Sequence, residues 1–146
     1  MPDVHQLQLL PQVSNNGYYS YSPAARQYGT SATIQAIVDV CRTFRLNMPD
    51  VVIGVGDISF KAGGPMPPHA SHKDGRQVDI RPLRADRKRL PVDISDAQYS
   101  RELTRLLVEA LQAHDNVTGI LFNDTAIKGV TKWAGHNNHL HVKMKA

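Results

Sequence analysis

The sequence has only one cysteine, Cys41, among its 146 residues. A lone cysteine excludes an intramolecular disulfide and any zinc site built from several thiolates. Long apolar runs are also missing, because no stretch approaches the ~20 residues that a membrane-spanning helix needs. The first residues, MPDVHQLQLLPQ, lack the basic and apolar regions of a secretory signal peptide. The sequence therefore predicts no disulfide, no transmembrane helix and no signal peptide.

The composition is that of an ordinary globular protein. Hydrophobic residues make up 41% of the chain and charged residues 21%, which excludes wholesale disorder. The length is that of one domain, so we expect a single domain over residues 1–146, with residues 1–28 as a loop-rich N-terminal arm. The formal net charge of +4 favours an acidic partner, and both nucleic acid and an anionic cell-wall polymer satisfy it.

Hydrophobic periodicity predicts two helices and four strands. The helices are expected near residues 31–46 and after a capping box formed by Ser95 and Gln98. The strands are expected within VVIGVGDISF, GRQVDIRPL, VTGILF and HLHVKM. This order of elements predicts an α+β fold, in which helices flank a central and mostly antiparallel sheet.

Five of the seven histidines lie in two short stretches, HASHKDGRQVD and GHNNHLHVKM. In the second stretch, His139 and His141 alternate with apolar residues, so their side chains share one face of a strand. In the first stretch, His72 precedes Asp79 across Gly75, and the loop between them can bring both side chains to one point. Two histidines and one carboxylate form the ligand set of a catalytic zinc ion. We therefore expect a zinc site on a face of the sheet.

The two stretches also carry a family resemblance. SHKDGRQVD resembles the H-x-x-G-x-x-x-D signature, and HLH the H-x-H signature, of zinc peptidases with the lysostaphin, D-Ala-D-Ala carboxypeptidase and hedgehog-type fold. Within that group, residues 28–146 most resemble the penicillin-insensitive murein endopeptidases, through GDISFKAGGPMPPHASHKDGRQVDIRPL, ILFND and HNNHLHV. The resemblance implies hydrolysis of peptide cross-links in bacterial peptidoglycan, such as D-Ala–diaminopimelate. Without a signal peptide, phage-type lysis or a dedicated secretion apparatus is the expected route to the wall.

The same resemblance implies a role for individual residues. One zinc ion per chain would be bound by three ligands, His72, Asp79 and His141. His139 would act as the general base, while His136 and His69 would orient the attacking water or stabilise the oxyanion. Neither nucleic acid nor a membrane is an expected partner.

Three alternatives remain open at this point. A D,D-carboxypeptidase or dipeptidase of the same fold would share the zinc chemistry, and only the substrate groove would distinguish it. A metal-dependent nuclease is suggested by the basic run RPLRADRKRL and by the similarity of GHNNHLH to the histidine–asparagine–histidine nucleases, although their distal ligand lies on a helix. A non-catalytic zinc-binding module would need no proton acceptor such as His139.

Overall fold

In the computed structural model, which describes residues 7–12, 16–67 and 72–145, two helices pack against a five-stranded sheet. The helices are α1 (Ser31–Asn47) and α2 (Arg101–Gln112). The strands within these ranges are β1 (Gln8–Leu9), β2 (Tyr18–Ser20), β3 (Tyr28–Gly29), β4 (Ile53–Val55), β5 (Gln77–Ile80), β6 (Val117–Leu121) and β7 (Leu140–Met144). The predicted α+β class is confirmed. No helix in the described ranges is long and apolar enough to cross a membrane.

The central sheet has the strand order β2-β4-β5-β7-β6. β2 runs parallel to β4, and every other pair of neighbours in this sheet is antiparallel, so the sheet is mostly antiparallel as predicted. β1 and β3 form a separate antiparallel pair. The segment 1–28, predicted to be a loop-rich arm, contributes β1, β2 and a 3₁₀ turn over Ala24–Arg26. Part of this segment therefore belongs to the central sheet.

Alternation along β5 and β7 separates an apolar face of the sheet from a polar one. Val78 on β5 and Val142 on β7 are fully buried in the core cluster that also contains the apolar side chains of α1 and α2. Because neighbouring residues of a strand point to opposite faces, Asp79 and His141 project away from the helices. The period-two pattern predicted for both strands is confirmed, and it directs the polar side chains to the face that the helices leave open.

The second helix begins later than the sequence predicted. Its N-cap is Ser100, whose Oγ accepts a hydrogen bond from the backbone N–H of Leu103 at 3.1 Å. The capping box predicted at Ser95 is wrong, because the backbone N–H and the hydroxyl of Ser95 both donate to Asp93 Oδ2, at 2.9 and 2.7 Å. A local side-chain acceptor thus competes successfully with helix initiation.

The strand predicted over residues 51–60 is also shorter than expected. β4 ends at Val55, and Gly56 N–H then donates to the carbonyl of Asp79 at 2.8 Å. Two residues later, Ile58 N–H donates to the carbonyl of Arg26 at 2.8 Å. The chain therefore leaves the sheet beside Asp79, and this departure places the carbonyl group of Ile58 next to the polar face.

Candidate metal centre

Strand register places the first two members of the cluster side by side. Asp79 on β5 is the direct cross-strand partner of His141 on β7. Directly opposed residues of an antiparallel pair have Cβ atoms ~4.5–5.5 Å apart, so their side chains meet on the same face. His141 Nδ1 lies 3.4 Å from Asp79 Oδ1. Both residues are nearly inaccessible to solvent.

His72 reaches the same carboxylate from the loop before β5. Its Nε2 lies 3.1 Å from Asp79 Oδ1, and its ring meets that of His141 edge to face at a centroid distance of 5.0 Å. The turn between His72 and Asp79 depends on Gly75, which adopts a φ of 75°, in the left-handed region that favours glycine. A Cβ at Gly75 would also approach Leu7 Cδ2 to 2.8 Å. Glycine is therefore favoured at this position for two reasons, the positive φ and the close packing of the loop against Leu7.

Outer hydrogen bonds fix how the two imidazoles present their nitrogens. His72 Nδ1 donates to the carbonyl oxygen of Ile58 at 2.8 Å, and His141 Nε2 donates to Gln77 Oε1 at 2.5 Å. In a neutral imidazole the other nitrogen then carries the lone pair, which is the atom facing Asp79 in both cases. Metal-bound histidines characteristically make this second hydrogen bond to a carbonyl or carboxylate. One potential ligand atom from each of His72, Asp79 and His141 lies within 4.8 Å of the others, so the cluster can hold a metal ion.

The electrostatics of the cluster keep the carboxylate charged. Burial alone would raise the pKa of Asp79, but the imidazoles of His141 and His72 lower this pKa well below its usual range, because they donate hydrogen bonds to the carboxylate whenever their inner nitrogens carry a proton. Burial works against the charged form of His72 too, yet the hydrogen bond and negative charge of Asp79 raise the pKa of His72. Asp79 is thus an ionised acceptor that attracts cations, as a metal ligand must be.

The two histidines predicted to act in catalysis lie beside this cluster. His139 Nε2 is 4.0 Å from Asp79 Oδ1, while His139 Nδ1 donates to Asn138 Oδ1 at 2.9 Å. The ring of His136 lies 4.7 Å from that of His139 and 5.6 Å from that of His141, measured between centroids. Both imidazoles are more exposed than the three clustered side chains. His69, predicted to assist them, lies outside the described residues.

A family comparison now identifies the chain more closely. The family model described as penicillin-insensitive murein endopeptidase matches residues 5–117, which is more than half of the 146 residues. The chain belongs to the penicillin-insensitive murein endopeptidase family. No curated protein sequence matches the chain. Membership in the family supports a murein endopeptidase activity, and therefore action on the cell wall.

The family match covers only part of the cluster formed by His72, Asp79 and His141. It includes His72 and Asp79 but ends before β7, so His139 and His141 lie beyond the part that the murein endopeptidase model covers. Their place beside the first motif comes instead from the pairing of β5 with β7. The sequence prediction missed Gln77 and Ile58 as supports of the cluster. For Gln77 a signal was present, because it alternates with Val78 and thus shares the face of Asp79.

Proposed function

We propose that the chain is a zinc-dependent peptidoglycan endopeptidase that hydrolyses peptide cross-links such as D-Ala–diaminopimelate. Its ligands would be His72, Asp79 and His141. One observation carries the proposal: one nitrogen of each of two imidazoles and one carboxylate oxygen lie close together in a buried place, while hydrogen bonds hold the far nitrogen of each ring. Family membership supplies the substrate class.

The donor set suits zinc in particular. Three protein ligands drawn from histidine and carboxylate are typical of a catalytic zinc ion, whereas structural zinc sites are usually closed by four. Two histidines and a carboxylate also bind iron in oxygenases, but hydrolysis transfers no electrons and zinc has no redox chemistry. When bound, zinc in such a site polarises a carbonyl group and lowers the pKa of a coordinated water to ~7.

The surroundings of His139 support its proposed role as the proton acceptor. Because Nδ1 of its neutral ring donates to Asn138, the lone pair is on Nε2, the nitrogen nearer to the cluster. This atom would take a proton from the attacking water and deliver it to the leaving amine nitrogen. General acid–base catalysis of this kind raises the reaction rate roughly 10²–10⁴-fold. His136 Nδ1 donates to the carbonyl of Ala134 at 3.0 Å, so its Nε2 would act beside His139 in orienting the water. His69 is proposed for the same task on the strength of the sequence motif alone.

A comparison of two histidine variants tests the assignment. His139→Ala should keep the fold and a full equivalent of zinc while losing roughly 10²–10⁴-fold in the cleavage rate of cross-linked muropeptides. His141→Ala should lose both zinc and activity. The matched control is His114→Ala, because His114 pairs with Asp39 of α1 at 2.9 Å and takes no part in the cluster.

Zinc content, melting temperature and muropeptide mass spectra should be measured for all three variants. Conversion of dimers to monomers identifies an endopeptidase, whereas loss of a terminal D-Ala alone would identify a carboxypeptidase. A full equivalent of zinc in His141→Ala would refute the ligand set. Wild-type hydrolysis by His139→Ala would refute its role as the base and transfer that role to His136.

A further inference from the structure

Two tyrosines lie flat on the polar face of the sheet, next to the metal centre. Tyr19 and Tyr21 come from β2 and the residue after it, and each crosses a glycine near β4. A Cβ at Gly54 would approach the Tyr19 hydroxyl to 2.7 Å, and a Cβ at Gly56 would collide with Cζ of Tyr21. Neither glycine has a positive φ, so their contribution is space. The bare backbone at these two positions allows the tyrosine rings to form an aromatic floor.

Arg81 rests on this floor. Its guanidinium carbon lies 4.0 Å from the centroid of the Tyr21 ring and 5.9 Å from that of Tyr19. Its Nη1 also donates to the Tyr19 hydroxyl at 3.2 Å. Cation–π contacts of this kind hold a guanidinium in place without neutralising its charge. The half-buried Arg81 is therefore a positioned cation with donors to spare, since a guanidinium carries five N–H groups.

The floor is close to the metal centre. Arg81 follows β5 directly, and its N–H donates to the carbonyl of Gly54 at 3.0 Å, which continues the extended pairing. Arg81 and Asp79 are two residues apart on one face, so their Cα atoms are separated by roughly 6.5 Å. Burial raises the pKa of Tyr21 well above its usual range, and the charge of Asp79 raises it further. Tyr21 is therefore near the charge of Asp79, while its ring contacts Arg81.

Further cations surround this position. A shallow pocket opens beside Arg81, and its lining includes four basic side chains, Arg81, Arg84, Arg87 and Lys88. Two of them are neutralised, because Arg84 pairs with Asp86 at 2.6 Å and Arg87 with Asp50 at 2.5 Å. Within the part of the chain that the structure describes, Arg81 and Lys88 form no such pair. The pocket thus keeps an excess of positive charge on the side of Arg81.

We propose that Arg81, supported by Tyr19 and Tyr21, forms a subsite for the free carboxylate of diaminopimelate in the stem peptide. This inference rests on the proposed function, because it places the carboxylate within about two residues of extended peptide from the reacting bond. A planar guanidinium matches a carboxylate through two parallel hydrogen bonds. Arg89 also lies over the Tyr19 ring, 5.4 Å from its centroid. A polyanion such as nucleic acid would need a longer track of unpaired cations, whereas Arg84 and Arg87 are neutralised by Asp86 and Asp50.

The test compares two muropeptide dimers that differ in one group, the free or amidated carboxylate of diaminopimelate. For the wild type, amidation should raise KM roughly 10- to 100-fold with little change in kcat, because a charge-assisted hydrogen bond is lost from binding. Arg81→Gln should raise KM on the free acid by the same factor and should show no further loss on the amide. Arg81→Lys should recover part of the loss. Zinc content should stay at the wild-type level in both variants.

Arg105→Gln provides the matched control, because it changes the net charge by the same amount as Arg81→Gln. Arg105 lies on α2, where it pairs with Glu109 at 2.9 Å. An equal rise in KM for Arg105→Gln would assign the effect to overall charge and overturn the subsite. Equal wild-type KM values for the two dimers would overturn the subsite and leave the proposed function intact. Absence of wild-type cleavage of either dimer would overturn both. If Arg81→Gln weakened binding to duplex DNA with no change in KM, the cations would belong to a nucleic-acid surface instead.

Discussion

Replacing Gln77 with leucine tests whether the amide that holds His141 also sets the affinity for metal. Gln77 Oε1 accepts the hydrogen bond of His141 Nε2 at 2.5 Å, so the substitution leaves this N–H without its acceptor. The imidazole then loses the bond that fixes its tautomer and its ring orientation. Loss of such an outer partner typically weakens metal binding roughly 10- to 100-fold, which corresponds to about 1.4–2.8 kcal/mol. We expect a loss of zinc affinity in this range with the fold retained.

Competition for zinc against a chelator of known affinity measures the loss, and thermal unfolding verifies the fold. Gln77→Glu should retain most of the affinity, because a carboxylate oxygen still accepts the hydrogen bond. Gln35→Leu is the matched control: Gln35 is an exposed glutamine on α1 that bonds only locally, to Asp39 Oδ1 at 2.7 Å. Wild-type zinc affinity in Gln77→Leu, or an equal loss in Gln35→Leu, would refute the reasoning.

Two further predictions concern the folded state. Gly75→Val should lower the melting temperature and the zinc content together, because it places a β-branched side chain at a φ of 75° and against Leu7. Gly64→Ala is the control for Gly75→Val, because Gly64 has a φ of 82° but no atom within 4 Å of the place that a Cβ would occupy. An equal loss of zinc in Gly64→Ala would contradict a steric cause at Gly75. Asp124→Asn should destabilise the protein above about pH 4. Burial would raise the pKa of Asp124, but the hydrogen bond from Arg101 lowers this pKa in the folded protein. The stability that the Asp124 carboxylate contributes is therefore present above its pKa of about 3.9 in the unfolded chain, and it is lost as the pH falls through the lower pKa of the folded protein. Denaturant unfolding at pH 7 and pH 3 measures this, and a difference between wild type and variant that does not narrow at pH 3 would contradict the assignment.

Several features follow from short stretches of sequence alone. The alternation of Val78 and Ile80 with polar residues is a property of neighbouring positions, and it correctly predicted that Asp79 lies on a strand with its side chain away from the core. The glycine between His72 and Asp79 could be assigned to a tight turn for the same reason. Local patterns were less reliable at boundaries, because Ser95 had a nearer hydrogen-bond partner in Asp93 than any helix could offer.

The sequence by itself determined which residue types are available for the site and which face of each strand carries them. Only the tertiary structure decided that Asp79 stands opposite His141, because a shift of one residue in register would turn one of these side chains toward the core. The contact of Gln77 with His141, 64 positions away, depends on the same register. The aromatic floor that Tyr19 and Tyr21 form beneath Arg81 also required β2 to lie beside β4. Local periodicity is fixed by adjacent residues, whereas register and strand order are fixed by the packing of the whole core, and for this reason no short motif could contain them.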